Sequence, residues 1–142
     1  MQRFRSLRHT LVTLLNELPE IRTPEGIRLE GSFLGPRDDF DGSLRLYGQA
    51  LKEKKIRAAV YGHLLENRLN LALLPENGQT EAGEALLLEL GKQVCAAGGN
   101  PAAEYGTGRL RRTLVEACRA PEQLERFRAW RAVLDPHYRM NP

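Results

Sequence analysis

The sequence lacks the features that mark membrane and secreted proteins. No apolar run approaches the roughly 20 residues that a helix needs to cross a bilayer, and the first residues lack the uninterrupted apolar core of a signal peptide. Only two cysteines, Cys95 and Cys118, occur in 142 residues. They are too few for a disulfide framework and are in keeping with a reducing compartment. We therefore expect a cytoplasmic protein without a membrane span.

A glycine-rich phosphate-binding loop is also missing. No such loop stands between a predicted strand and a predicted helix, which is where a dinucleotide-binding fold places one. The 142 residues are enough to bury the core of a single domain. We expect one domain that does not by itself hold a dinucleotide tightly.

The order of apolar and polar residues predicts an α+β domain. An amphipathic helix over residues 1–22 precedes a β-α-β-β-α-β core over residues 23–105, and a helical segment covers residues 106–142. This is the order of a ferredoxin-like split βαβ fold, an antiparallel sheet with helices on one face, here with extra C-terminal helices. Within the core, strands are predicted over residues 27–34, 56–64, 68–74 and 101–104, and helices from about Asp38 to Lys54 and from Thr80 to just before Gly98.

The last predicted helix begins at Pro121, because proline is well tolerated at a first helical position. It ends at Asp135, before Pro136. Apolar residues recur along it at helical spacing and are predicted to form its buried face: Leu124, Phe127, Trp130, Val133 and Leu134.

Aromatic residues make up only 6% of the chain, which bears on nucleic-acid binding. RNA-reading sheets of this topology expose aromatic side chains on their strands, and the predicted strands offer only Phe33 and Tyr61. The net charge of +3 comes largely from C-terminal arginines that alternate with glutamates, a pattern typical of a solvated helix face. No nucleic-acid partner is predicted.

The second and third strands are predicted to form a hairpin with Glu66 and Asn67 at the centre of a two-residue turn. In that register His63 lies directly opposite Asn70, on the face away from the core. Directly opposed residues have Cβ atoms about 5 Å apart. This distance suits either two ligands of one ion or a simple hydrogen bond between the two side chains, and the sequence leaves both open.

Three segments of the chain resemble the C-terminal domain of FAD-linked oxidases, the family of glycolate oxidase and D-lactate dehydrogenase. Residues 104–109, Glu-Tyr-Gly-Thr-Gly-Arg, resemble its Glu-His-Gly-Ile-Gly-Arg signature. Residues 62–70, Gly-His-Leu-Leu-Glu-Asn-Arg-Leu-Asn, resemble its Gly-His-x-Gly-Asp-Gly-Asn-x-His motif. The end of the chain, residues 134–142, resembles its Leu-Asp-Pro-x-x-x-x-Asn-Pro terminus.

The resemblance implies the substrate-side (cap) domain of an FAD-dependent oxidoreductase. Its relatives pass hydride from a 2-hydroxy acid to FAD while a base takes the hydroxyl proton. The FAD-binding domain is absent from this chain, so FAD would come through a separate FAD-binding domain or subunit. By position, the resemblance assigns catalytic roles to Tyr105, His63 and Arg109, cofactor contacts to Glu104, Gly106, Gly108 and Asn141, and substrate binding to Asn70.

Several site positions depart from the family pattern. Tyr105 replaces the signature histidine, and a phenol with an ordinary pKa near 10 is a weak base at neutral pH. Metal-dependent members hold a divalent metal with two histidines and a glutamate, of which only His63 and Glu104 remain, because Asn70 replaces the second histidine. An amide is a poor zinc ligand and two protein ligands are too few, so no metal is predicted. Without one, Glu104 needs another cation, for which His63 and Arg109 are candidates.

A second class of function stays open. A ferredoxin-like domain of this size can be a stand-alone, non-catalytic small-molecule binding or regulatory module. Such a module would bind its ligand, for which a small organic acid is the candidate, without any flavin partner. The sequence does not decide whether the chain is part of an active enzyme.

Overall fold

The computed structural model describes Thr10 and residues 28–76, 78–104 and 112–140. Apart from Thr10, the predicted helix over residues 1–22 lies outside these ranges. The helices and strands of the described ranges are, in chain order, β1 (Leu29–Leu34), α1 (Phe40–Lys54), β2 (Arg57–His63), β3 (Arg68–Leu74), α2 (Thr80–Ala96), α3 (Arg112–Cys118) and α4 (Pro121–Leu134). None of these helices is long and apolar enough to cross a membrane.

The three strands form one antiparallel sheet in the order β1-β3-β2, which confirms the predicted α+β class. The predicted fourth strand is reduced, in the described residues, to one antiparallel bridge between Leu34 and Asn100. Their main chains exchange two hydrogen bonds of 2.8 Å on the free edge of β1. Beyond this pair, the Ala103 N–H donates to the Ser32 carbonyl oxygen at 3.0 Å. The segment therefore stays beside β1 without forming a regular ladder.

One face of the sheet packs against the helices. Phe33 of β1 lies against Tyr47 of α1 with ring centroids 5.8 Å apart, and Gly83 of α2 approaches Leu29 and Leu73 so closely that a Cβ atom would meet Leu29 at 2.8 Å. α1 begins as predicted, since the Asp39 carboxylate accepts a hydrogen bond of 3.0 Å from the Gly42 N–H. The buried apolar core is Phe33, Tyr47, Ile56, Leu69, Leu71, Leu73, Leu86, Leu90, Val94 and Leu114.

The apolar face of α4 is not buried. The structure confirms that the helix begins at Pro121 and ends at Leu134, but no residue of the helix is buried and Trp130 is 62% exposed. Phe127, Val133 and Leu134 are also exposed. The predicted packing of this face is therefore wrong for the described part of the chain. Helical spacing identifies an apolar stripe but does not say what covers it.

Tyr47 is buried, and its hydroxyl has no hydrogen-bond partner among the described residues. We expect Tyr47→Phe to leave the free energy of unfolding unchanged or to raise it by up to about 1 kcal/mol, because an unpaired buried hydroxyl costs stability. Tyr138→Phe, at an exposed tyrosine, is the control. Urea denaturation measures both, and a loss of more than about 1 kcal/mol in Tyr47→Phe would mean that the hydroxyl is bonded.

The same variant has an expected pH dependence. Burial raises the pKa of Tyr47 from 10.0 to about 12. In alkaline solution the unfolded chain therefore loses this proton first, and the stability of the wild type falls as pH rises from 10.0 through about 12. Tyr47→Phe lacks this contribution, so its stability should fall less over that range.

Candidate functional site

The sheet face opposite the helices is polar at its centre. Ser32 of β1 and Tyr61 of β2 both pair with Asn70 of β3, so the three residues form one row across the sheet on the same face. Ser32 and Asn70 are buried, and Asn70 is only 4% exposed. Asn70 is therefore at the centre of this face rather than at an edge.

The register of the hairpin differs from the prediction. His63 lies opposite Arg68, and Asn70 lies opposite Tyr61. The chain turns through a 3-10 segment, Leu64–Glu66, and then Asn67, which is a longer turn than the predicted two-residue one. The shift keeps His63 and Asn70 on one face but moves them from direct to diagonal neighbours.

Asn67 holds the tip of the hairpin against the start of α1. Its φ is 47°, in the left-handed region that asparagine tolerates better than most residues. The main-chain N–H of Gly35 donates to its carbonyl oxygen at 2.9 Å. The two N–H groups of its buried side-chain amide Nδ2 are within hydrogen-bond distance of three acceptors: Pro36 O at 2.6 Å, Ser43 Oγ at 2.9 Å and Asp39 O at 3.1 Å.

Glu104 joins three parts of the fold. Its main-chain N–H donates to Ser32 Oγ at 3.0 Å. One carboxylate oxygen is 3.0 Å from an Arg68 guanidinium nitrogen, and the other accepts a hydrogen bond of 3.0 Å from Asn70 Nδ2. Arg68 also pairs with Glu66 at 2.8 Å. Both carboxylate oxygens of Glu104 are thus engaged by β3.

A cationic partner of Glu104 is therefore Arg68, which the sequence did not indicate. The suggested pairing of Glu104 with His63 or Arg109 stays a prediction. Arg68 alternates with Asn70 along β3, so both point to the same face. That alternation was the only sequence signal that could have identified Arg68.

Two complementary groups of this cluster have no partner among the described residues. The Asn70 Oδ1 atom, an acceptor, and the Arg68 Nε–H group, a donor, are buried without a hydrogen bond. Buried polar groups are normally satisfied by protein, water or ligand. The pair therefore leaves one acceptor and one donor of this cluster without a hydrogen bond.

The residues of this cluster do not fit a divalent metal. Within residues 28–76, 78–104 and 112–140 and at Thr10, no three His, Cys, Asp or Glu side chains are grouped to hold one. Of the two remaining ligand positions, Glu104 has both oxygens engaged and a guanidinium beside one of them. The positive charge of that guanidinium opposes a second cation at the same carboxylate.

Five predicted site residues lie outside the described residues: Tyr105, Gly106, Gly108, Arg109 and Asn141. The segment just before Asn141 is described, and Asp135 folds it back. The two Asp135 carboxylate oxygens accept hydrogen bonds from the Arg139 and Met140 main-chain N–H groups, at 2.8 and 2.9 Å. Asp135 belongs to the terminal motif predicted from the sequence, and this buried turn gives it a structural role.

A cavity of about 340 Å³ lies away from this cluster, between α2, α3 and the segment around Asn100. Cys95 and Cys118 line it. Burial and the neighbouring Cys95 thiol raise the pKa of Cys118 to about 11, so this thiol stays protonated and unreactive at neutral pH. Both cysteines are free, and the cavity carries none of the predicted site residues.

Comparison with known protein families agrees with the fold. The model of the family described as FAD linked oxidases, C-terminal domain, matches residues 1–142, the whole chain. This match confirms the resemblance at family level and implies a flavoenzyme with an FAD-binding partner domain. The chain belongs to the FAD linked oxidases, C-terminal domain family.

Proposed function

We propose that this chain is the substrate-side domain of an FAD-dependent oxidoreductase that oxidises a small 2-hydroxy acid. The observation that carries the proposal is the cluster of Arg68, Asn70 and Glu104, in which Glu104 is the first residue of the signature segment. Its unpaired Asn70 Oδ1 and Arg68 Nε–H are one acceptor and one donor. A hydroxyl group offers the complementary donor and acceptor.

The charges of the cluster indicate which arginine is suited to bind the substrate carboxylate. Glu66 and Glu104 already occupy two guanidinium nitrogens of Arg68, so Arg68 is poorly suited to bind the substrate carboxylate. Arg109, in the signature segment, is our candidate for that role, because arginine matches a carboxylate with two parallel hydrogen bonds. In this arrangement Asn70 Oδ1 accepts the hydrogen bond of the substrate hydroxyl on binding. The hydroxyl then rotates about its C–O bond and presents this proton to a base.

Two side chains of this chain are candidates to take the hydroxyl proton. His63 lies diagonal to Asn70 on the same sheet face, and an imidazole can accept a proton. Tyr105 stands at the position of the signature histidine and would need a nearby cation such as Arg109 to act as a base. FAD, when bound by the partner, supplies the hydride acceptor.

The apolar face of α4 supports the need for a partner. Phe127 and Trp130 stack edge to face with centroids 5.8 Å apart, and both are exposed together with Val133 and Leu134. A contiguous exposed apolar surface of this kind is typical of an interaction site. The FAD-binding domain that the family implies is the partner we assign to it.

The test is anaerobic reduction of the flavin in the assembled flavoprotein. D-lactate and glycolate should bleach the flavin absorbance at roughly 450 nm. Glu104→Gln should lower kcat/KM about 10- to 100-fold, because charge-assisted hydrogen bonds contribute about 1.5–3 kcal/mol. The measurement is stopped-flow absorbance over a range of substrate concentrations.

The matched control is Glu30→Gln. Glu30 lies on the same sheet face, is exposed to a similar extent as Glu104 and pairs with Arg28 at 2.8 Å. Glu30→Gln should change kcat/KM less than about twofold. Equal effects of the two variants, or no flavin reduction by any 2-hydroxy acid, would contradict the proposal. Calorimetric binding of such an acid to this chain alone would instead favour a stand-alone binding module.

A further inference from the structure

The sheet face that carries His63 and Asn70, against which Glu104 lies, also carries the guanidinium of Arg68. Arg68 lies opposite His63 and pairs with Glu104 at 3.0 Å and with Glu66 at 2.8 Å. Its side chain is only 25% exposed. Held by a carboxylate on each side, the guanidinium cannot leave Glu104 without unpairing a partly buried charge.

This geometry adds a second reason why the cluster does not suit a divalent metal. The missing second histidine at Asn70 removes one ligand, but the carboxylate of Glu104 is a separate obstacle. A divalent ion bound to Glu104 would have to share a carboxylate oxygen with Asn70 Nδ2 or with the guanidinium. It would then remain beside a fixed positive charge, which repels it.

We infer that Arg68 is a built-in cation that takes the place of a divalent metal beside Glu104 and excludes one even when the missing imidazole is restored. The cluster is held together by hydrogen bonds and ion pairs among Ser32, Arg68, Asn70 and Glu104. It needs no metal to position these side chains. This inference concerns metal binding and does not depend on which substrate is oxidised.

The experiment compares the full chain with three variants: Asn70→His, Arg68→Asn, and the double variant. Asparagine is chosen at position 68 because it is short and uncharged and occupies this place in the family's hairpin motif. The diagonal spacing of His63 and position 70 remains within reach of long side chains. Circular dichroism and thermal melting first establish that each variant is folded.

Zn²⁺ and Mn²⁺ are titrated by calorimetry, and bound metal is counted by elemental analysis after dialysis. After dialysis we expect no stoichiometric metal in the wild type, in Arg68→Asn or in Asn70→His, and one equivalent in the double variant. The double variant should bind more than about tenfold more tightly than Asn70→His, because removal of a fixed charge and release of the carboxylate both favour the ion.

Three results would overturn the inference. Stoichiometric metal in the wild type would show that Arg68 does not exclude it. Affinities of Asn70→His and the double variant within about tenfold would show that the imidazole alone is limiting. A folded double variant that binds no metal would show that Arg68 is not the obstacle. None of these measurements uses flavin or turnover. A result that overturns this inference is therefore distinguishable from one that overturns the proposed reaction.

Discussion

Gly62→Ala is expected to destabilise the domain by about 3 kcal/mol or more, although it adds only a single methyl group. Gly62 of β2 lies against the backbone of β3, where an added Cβ atom would collide with the carbonyl oxygen of Arg68 and lie 2.9 Å from the Cα atom of Leu69. Backbone atoms inside a strand pair cannot give way as a flexible side chain can. Urea denaturation monitored by circular dichroism measures the loss.

Gly48→Ala is the matched control. Gly48 lies on the exposed side of α1, with no atom of the described residues within 4 Å of an added Cβ. Alanine there should raise the free energy of unfolding by about 0.5–1 kcal/mol, because glycine is unfavourable inside a helix. The same substitution should thus have opposite signs at the two positions. A loss below about 1 kcal/mol at Gly62 would mean that β2 and β3 are not paired in the described register.

Asn67→Ala is expected to cost about 3–4 kcal/mol of stability. Alanine at this position keeps the left-handed φ of 47°, which costs a residue with a Cβ atom roughly 1–2 kcal/mol. It also removes the amide that donates to Pro36, Asp39 and Ser43, so that buried acceptors lose their donor. Urea denaturation gives the total, and hydrogen exchange at the Gly35 N–H reports the local opening.

Asn67→Gly separates the two causes. Glycine adopts the left-handed conformation without a steric cost but brings no amide, so it should recover about 1 kcal/mol of the loss seen with alanine. Equal losses in the two variants would show that the backbone conformation is not strained. No loss in either would show that the amide contributes nothing to holding the hairpin on α1.

The features that depend on residues adjacent in sequence were predicted correctly. β3 was predicted over its observed residues, 68–74, because its apolar alternation is regular, and α4 begins at Pro121 for a local steric reason. The hairpin register could not be read in the same way. It depends on Asn67, whose side chain bonds to Pro36, 31 residues away, so a contact distant in sequence fixes the shape of the turn.

Two residues that the sequence named as candidates lie together in the structure, but their ionic partner was not predicted. Asn70 and Glu104 were both identified from the family resemblance, and they are in contact although 34 residues separate them. The role of Arg68 was not predicted, because a one-dimensional pattern does not say which of several cations reaches a given carboxylate. The exposure of α4 was missed for a similar reason, since an apolar stripe carries no information on its neighbour.

The attachment of Glu104 has a consequence for protein engineering. Its main chain is tied to Ser32 and its carboxylate to Arg68 and Asn70, so the chain leaves the sheet from a fixed point in space. Residues 105–109 can therefore be exchanged with those of other family members while Glu104 and its three partners are kept. Such a chimera leaves α3 and its core residue Leu114 unchanged, and it tests the proposal that the signature segment sets substrate preference.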